Sequence, residues 1–206
     1  MSTPSKIVCV GRNYLAHARE LGNDVPSEPL IFLKPPSAII EPGDVIRLPA
    51  GVGRVDFEGE IAFRVGRRAT RVAASAWRGY VDGVLPANDV TARDLQRKDS
   101  QWTRAKGFDT FCALGPVVPI DGLDVDALTV ITRVGSVERQ RGCVADMAFP
   151  PPVLIEYITH IMTLEPGDLV LTGTPEGVGP LVAGDVVEVE IPGVGTLSNP
   201  VADALP

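Results

Sequence analysis

Asp56, Glu58 and Glu60 occupy every second position of the stretch VDFEGEIAF, residues 55–63. A strand sends successive side chains to opposite faces. One face then carries the three acids and the other carries Phe57, Gly59, Ile61 and Phe63. Carboxylates two residues apart on a strand lie about 7 Å from each other and repel by about 2 kcal/mol at an effective dielectric of about 20. On a solvated edge strand that repulsion is screened. In a cleft it calls for a positive partner, and Asp89 in PANDVTARD supplies a further acid. Oxygen donors without histidine or cysteine suit Mg²⁺, Mn²⁺ or Ca²⁺ better than zinc.

Two further groups could move protons or hold charge. His17 and Glu20 stand three apart in NYLAHARE, a spacing that puts both on one helix face. A carboxylate that orients an imidazole makes it a competent general base; the alternative is an ordinary surface pair. Arg12, Lys34, Arg93 and Lys106 form the basic set in a chain with only four lysines. Lys106 precedes the apolar GFDTF, where a desolvated ammonium could stabilise a developing enolate or simply pair with an acid.

LTGTPEGVGPL has the glycines of a phosphate loop, but neither GxxxxGK[ST] nor GxGxxG is present. It reads instead as a tight loop after a strand over 169–172, offering backbone N–H groups and the Thr174 hydroxyl to an anion. His160 lies in an apolar helical run and reads as structural or surface. Trp77 and Trp102 read as packing residues.

The elements that must position these groups are mostly strands. Short segments rich in Val, Ile and Leu alternate with Pro, Gly and Asp turns. EPGDVIRLP, EPGDLVLTG and VAGDVVEVEIPGVG each read as a turn that launches a strand. Pro-Gly fits the centre of a type II turn, with glycine at positive φ. Helices are few: YLAHARELG with Gly22 as C-cap, and PPVLIEYITHIMTLEPG, which starts on proline. TARDLQRKD reads as a helical turn or loop.

The 206 residues, 45% of them apolar, suffice for one sizeable core. The expectation is a single domain over 1–206. A net charge of −7 argues against nucleic acid and anionic membranes. No apolar run is long enough to span a bilayer, and the N-terminal residues lack the pattern of a secretory signal. Cys9, Cys112 and Cys143 are widely spaced, which predicts reduced thiols and a cytoplasmic protein.

Taken in order, VGRNYLAHARE, PLIFLKPPSAI, VDFEGEIAF, ANDVTARDLQ, TRAKGFDTF, DMAFP and MTLEPGDLVLTGTPEGVG resemble the short, single-domain members of the fumarylacetoacetate hydrolase family over nearly the whole chain. The resemblance implies an α+β, β-rich fold, a mixed β-sandwich roll flanked by short helices, commonly a homodimer. It implies a divalent metal, usually Mg²⁺ with Mn²⁺ or Ca²⁺ as substitutes, on Glu58, Glu60 and Asp89, with Asp56 behind them or paired to a nearby base. Arg93, Gln96, Lys106 and Thr174 fall where the family contacts a small 2-oxo or dicarboxylic acid, and His17 with Glu20 looks like the dyad that activates water.

The implied reaction is hydrolysis or decarboxylation at a C–C bond of a short β-diketo or 2-oxo acid. The same scaffold hosts isomerases of hydroxymuconate type in aromatic catabolism. The short link DLQRKDSQWTRAKGFDTF resembles those, while NYLAHARE resembles the acylpyruvase and oxaloacetate decarboxylase branch. A metal-dependent binding protein without turnover is the reading of a different class.

Overall fold

The computed structural model describes residues 3–20 and 26–204, leaving aside the side chains of residues 17–19. An eight-stranded mixed sheet runs Leu30–Lys34, Ile7–Gly11, Leu169–Leu171, Gly59–Val65, Val81–Asp89, Cys112–Leu114 and Ile39–Ile40, with Val118–Pro119 also paired to Val81–Asp89. A five-stranded sheet runs Val137–Cys143, Thr129–Val134, Val186–Ile191, Gly195–Asp203 and Ile46–Leu48. Three short strands, Gly179–Pro180, Val55–Phe57 and Thr91–Ala92, form a third sheet.

The long sheet is apolar on both faces, which explains the unbroken Val/Ile/Leu runs in its strands. Val8, Val10, Ile61, Phe63 and Val170 share a core cluster with Val130, Val189 and Leu197 of the five-stranded sheet and with Leu154, Ile155 and Ile158 of the helix Pro151–Ile161. The alternating residues Ile7, Cys9, Ala62, Leu85, Cys112, Leu169 and Leu171 form a second cluster. Period-two alternation thus separates two cores rather than core from solvent.

The stretch 55–63 is not one strand. It breaks at Glu58 into Val55–Phe57 and Gly59–Val65, which lie in different sheets. At the break the Glu58 N–H donates to the Asn88 side chain at 3.0 Å, and the Glu58 carbonyl accepts from the Asp89 N–H at 2.8 Å. The expected apolar face is divided accordingly: Phe57 joins a third cluster with Val55, Ile46 and Phe111, while Ile61 and Phe63 join the first.

The three turn-strand units share one design. Gly43, Gly167 and Gly184 have φ of 87°, 92° and 96°. The aspartate that follows each glycine accepts from the backbone N–H three residues back: Asp44 from Glu41, Asp168 from Glu165 and Asp185 from Val182, at 2.8–2.9 Å. Asp168 reaches further, to Ser5 and Lys6, and so fastens Leu169–Leu171 to its parallel neighbour Ile7–Gly11.

TARDLQRKD contains the helix Arg93–Lys98, and a further turn of helix, Thr103–Lys106, follows it. The helix expected in YLAHARELG spans Leu15–Glu20; its proposed cap Gly22 lies outside the described residues. All three cysteines are free, with Cys9 and Cys112 buried. Among the described residues no helix is long and apolar enough to cross a membrane.

Candidate active site

Glu58 sits at the break between two strands, Glu60 just inside the next, and Asp89 at the end of Val81–Asp89. Pairing of Gly59–Val65 with Val81–Asp89, in the register Gly59↔Asn88 and Glu60↔Ala87, brings these positions together. Each residue offers a carboxylate oxygen within 4.8 Å of the other two, and all three are buried. They line a cleft of about 430 Å³ with Arg12, Phe32, Arg93, Gln96, Trp102, Lys106 and Thr174.

Cations penetrate this acidic cluster. The Lys106 ammonium donates to Glu58 Oε2 and Asp89 Oδ2, each at 2.6 Å, and stands 5.0 Å from the centre of the Phe32 ring. Burial opposes its charge, but Asp89 and Glu58 outweigh burial and hold its pKa above the ordinary lysine value. Its two carboxylate contacts thus favour the ammonium form. Lys34, fully buried, pairs with Asp89 Oδ1 at 2.6 Å. Arg93 donates through Nε to Asp56 at 2.8 Å and through Nη1 to Gln96 at 2.9 Å, and its Nη1 lies 2.6 Å from Glu58.

Asp56 stands apart from the other acids. Arg54 and Arg93 both grip it, and the strand break separates it from the triad. The expectation of three acids on one face is corrected here: Glu58 and Glu60 meet Asp89, and Asp56 becomes the anchor of Arg93.

Glu60 has the weakest counter-charge. Burial first, then Asp89 and Glu58, push its pKa well above the usual carboxylate range, against the pull of Lys106 and of the Gly173 N–H that donates to it at 2.7 Å. Three buried hard oxygen donors, one of them short of positive charge, fit a divalent cation of the Mg²⁺, Mn²⁺ or Ca²⁺ type.

The loop after Leu169–Leu171 works differently from the expected anion cradle. Its Gly173 N–H serves Glu60, and the Thr174 hydroxyl donates to the Gly59 carbonyl at 2.8 Å while accepting from Gln140 at 2.7 Å. Gln140 also accepts from the Gly59 N–H and donates to the Pro175 carbonyl. This buried amide comes from Val137–Cys143 in the other sheet, and nothing in VERQRGC distinguishes it locally.

Trp102 both packs edge-on against Phe32, with ring centres 5.2 Å apart, and lines the cleft. Trp77 packs against Phe63 as expected, and His160 is exposed. The His17 side chain lies outside the described residues, so its pairing with Glu20 does too. The Glu20 carboxylate accepts from the Gly177 N–H at 3.1 Å, which puts helix Leu15–Glu20 beside the TPEGVG loop.

Arg12, Asn13 and Tyr14 follow the strand Ile7–Gly11. Arg12 adopts φ 58°, a left-handed conformation costing a non-glycine residue of order 1–2 kcal/mol. Its neighbours enforce it. Asn13, fully buried, donates to the carbonyls of Thr172 and Phe149 and accepts from the Phe149 N–H. A side chain at Gly11 would meet the Trp102 ring at 2.9 Å.

Residues 6–202 match the family described as fumarylacetoacetate (FAA) hydrolase C-terminal. The chain is 46% identical to a mitochondrial oxaloacetate tautomerase of Arabidopsis thaliana, covering 92% of this chain and 87% of that one. It is 42% identical to a mitochondrial oxaloacetate decarboxylase of Dictyostelium discoideum, over 94% and 92%. Among solved structures, a 5-carboxymethyl-2-hydroxymuconate delta-isomerase from Mycobacterium smegmatis superposes with a TM-score of 0.92 at 46% identity, over 99% and 81%. A fumarylpyruvate hydrolase from Pseudomonas aeruginosa, in complex with Mn²⁺ and pyruvate, gives 0.90 at 31% identity, over 98% and 91%. The match along almost the whole chain, in sequence and in the β-rich curled architecture, makes this protein a member of the fumarylacetoacetate hydrolase family.

Proposed function

We propose that this protein is a divalent-metal-dependent enzyme that hydrolyses or decarboxylates a short β-diketo or 2-oxo acid at a C–C bond. One observation carries the reading: three buried carboxylates from two segments converge within 4.8 Å beside an ammonium 2.6 Å from two of them. The hydrolase that resembles this chain and holds Mn²⁺ and pyruvate supports it. Glu58, Glu60 and Asp89 would hold the ion, with Mg²⁺ as the leading candidate. When bound, it polarises the 2-oxo group and orients the adjacent carboxylate.

The chain's own groups then have distinct tasks. Arg93 lines the cleft, and Asp56, Glu58 and Gln96 fix its guanidinium, which is assigned to the substrate carboxylate. Gln96 and Thr174 line the same cleft and limit how the acid can lie. Lys106, held cationic, stabilises the negative charge that builds on the departing enolate oxygen. His17 with Glu20 takes a proton from water, whose oxygen adds to the distal carbonyl carbon; the C–C bond then breaks with its electron pair on the enolate. In decarboxylation the same enolate forms as CO₂ leaves, and no water attack is needed.

The charges of the site suit such a substrate. Asp56, Glu58, Glu60 and Asp89 share the site with Lys34, Arg54, Arg93 and Lys106, and Arg12 also lines the cleft. A dication added to these cations favours an anionic substrate.

A second reading, isomerisation of a hydroxymuconate-type diacid, draws on the delta-isomerase structure and the tautomerase relative. Steady-state assays with Mg²⁺ on acetylpyruvate, oxaloacetate and a hydroxymuconate-type diacid separate the two. Turnover of the first or second supports hydrolysis or decarboxylation; turnover of the third alone overturns it.

A further inference from the structure

We propose that Arg12 is a specificity-determining residue that binds the distal carboxylate of the substrate and so selects dicarboxylates over monoacids. The inference rests on the metal-dependent 2-oxo acid reading above and adds to it a residue for the far end of the ligand. Four cations line the cleft: Arg12, Arg93, Arg97 and Lys106. Three already have carboxylate partners. Arg93 pairs with Asp56 and Glu58, Arg97 with Asp94, and Lys106 with Glu58 and Asp89. Among the described residues Arg12 alone of the four has none, although it is only partly exposed.

Its backbone adds an independent indication. Arg12 holds a left-handed φ of 58°, between a glycine pressed against Trp102 and an asparagine hydrogen-bonded to three backbone groups. Glycine or asparagine is the usual occupant of such a position. An arginine there, lining the cleft and lacking a carboxylate partner among the described residues, is placed to meet an anion from outside. A guanidinium presents a planar fork of donors that matches a carboxylate.

The test compares binding of malate with binding of 2-hydroxybutanoate, which has the same number of carbons but lacks the distal carboxylate. Calorimetry uses the whole 206-residue chain loaded with Mg²⁺. Wild type is expected to bind malate at least about tenfold more tightly. A hydrogen bond to a charged group is worth roughly 1.5–3 kcal/mol, or about 10- to 150-fold. Arg12→Gln should lose that factor for malate and change 2-hydroxybutanoate by less than about threefold. Arg12→Lys should restore part of the loss, because it keeps the charge without the fork. Arg12→Gly, which relieves the backbone, repeats the measurement should the glutamine variant fold poorly.

Equal affinity of wild type for the two acids overturns the proposal, as does an unchanged preference in Arg12→Gln or an equal loss for both ligands. The readout needs no turnover. Failure of the assays on acetylpyruvate and oxaloacetate would therefore strike the proposed reaction, while failure here would strike Arg12.

Discussion

The Lys34 ammonium lies 2.6 Å from Asp89 Oδ1, with both side chains wholly removed from solvent. Lys106 binds the other oxygen, Oδ2, at the same distance. Asp89 is thus held from two sides, and only Lys106 lines the cleft. Removing one partner of a buried pair leaves an uncompensated charge and costs about 3–5 kcal/mol. Lys34→Met is therefore expected to lower stability by about that amount, read as a shift of the urea midpoint at unchanged slope. A loss below about 1 kcal/mol would show that the pair does not support the fold.

Lys106→Met and Glu58→Gln should affect different quantities. Loss of Lys106 removes the ammonium that competes for Glu58 and Asp89, so Mg²⁺ affinity should hold or rise. Turnover should fall by about 10²–10³, the usual effect of removing one stabiliser of developing negative charge. Glu58→Gln should weaken Mg²⁺ binding and turnover together. Calorimetric Mg²⁺ titration beside steady-state rates checks both, and equal metal affinity for wild type and Glu58→Gln would contradict the ligand assignment.

His17→Ala should leave Mg²⁺ affinity unchanged and reduce hydrolysis of acetylpyruvate by about 10²–10⁴, the range for loss of an acid-base group. Decarboxylation of oxaloacetate, which needs no water attack, should suffer less. Parallel loss of both activities would argue against a role confined to activating water.

Gln140→Ala should damage the site from behind. It strips the Gly59 N–H and the Pro175 carbonyl of a partner and frees the Thr174 hydroxyl. Each buried polar group left unsatisfied costs about 1–3 kcal/mol. Stability should fall, and KM should rise more than kcat falls, because Thr174 loses its position. Thermal unfolding and steady-state kinetics with Mg²⁺ test this together.

Asp168 should contribute to the acid limb of stability. Burial opposes its ionisation, yet hydrogen bonds from the Glu165 N–H, Lys6 and Ser5 outweigh burial and hold its pKa below the ordinary carboxylate value. A depressed folded-state pKa stabilises fully above the unfolded value, near 3.9, and that contribution is lost as pH falls toward the folded value. Asp168→Asn should be less stable than wild type at neutral pH. The gap should close below about pH 4 in urea melts taken across the acid range.

Residue types and short spacings alone determined a good deal. Proline, glycine and aspartate in EPGD and VAGD specify their turns locally, since glycine tolerates the positive φ and the aspartate closes the turn on its own backbone. The acidic pair in FEGE and the ordered motifs marked the family and the cluster of Glu58, Glu60 and Asp89. Tertiary structure decided which acids meet. At the break the Glu58 N–H donates to Asn88, thirty residues away, and Asp56 pairs with Arg93 instead of joining the triad. Gln140 and Lys34 gain their significance only from partners distant in sequence, and Arg12 from lining the cleft without a carboxylate partner among the described residues. Electrostatics and hydrogen bonding act across space, and folding brings together groups whose local sequence does not specify their neighbours.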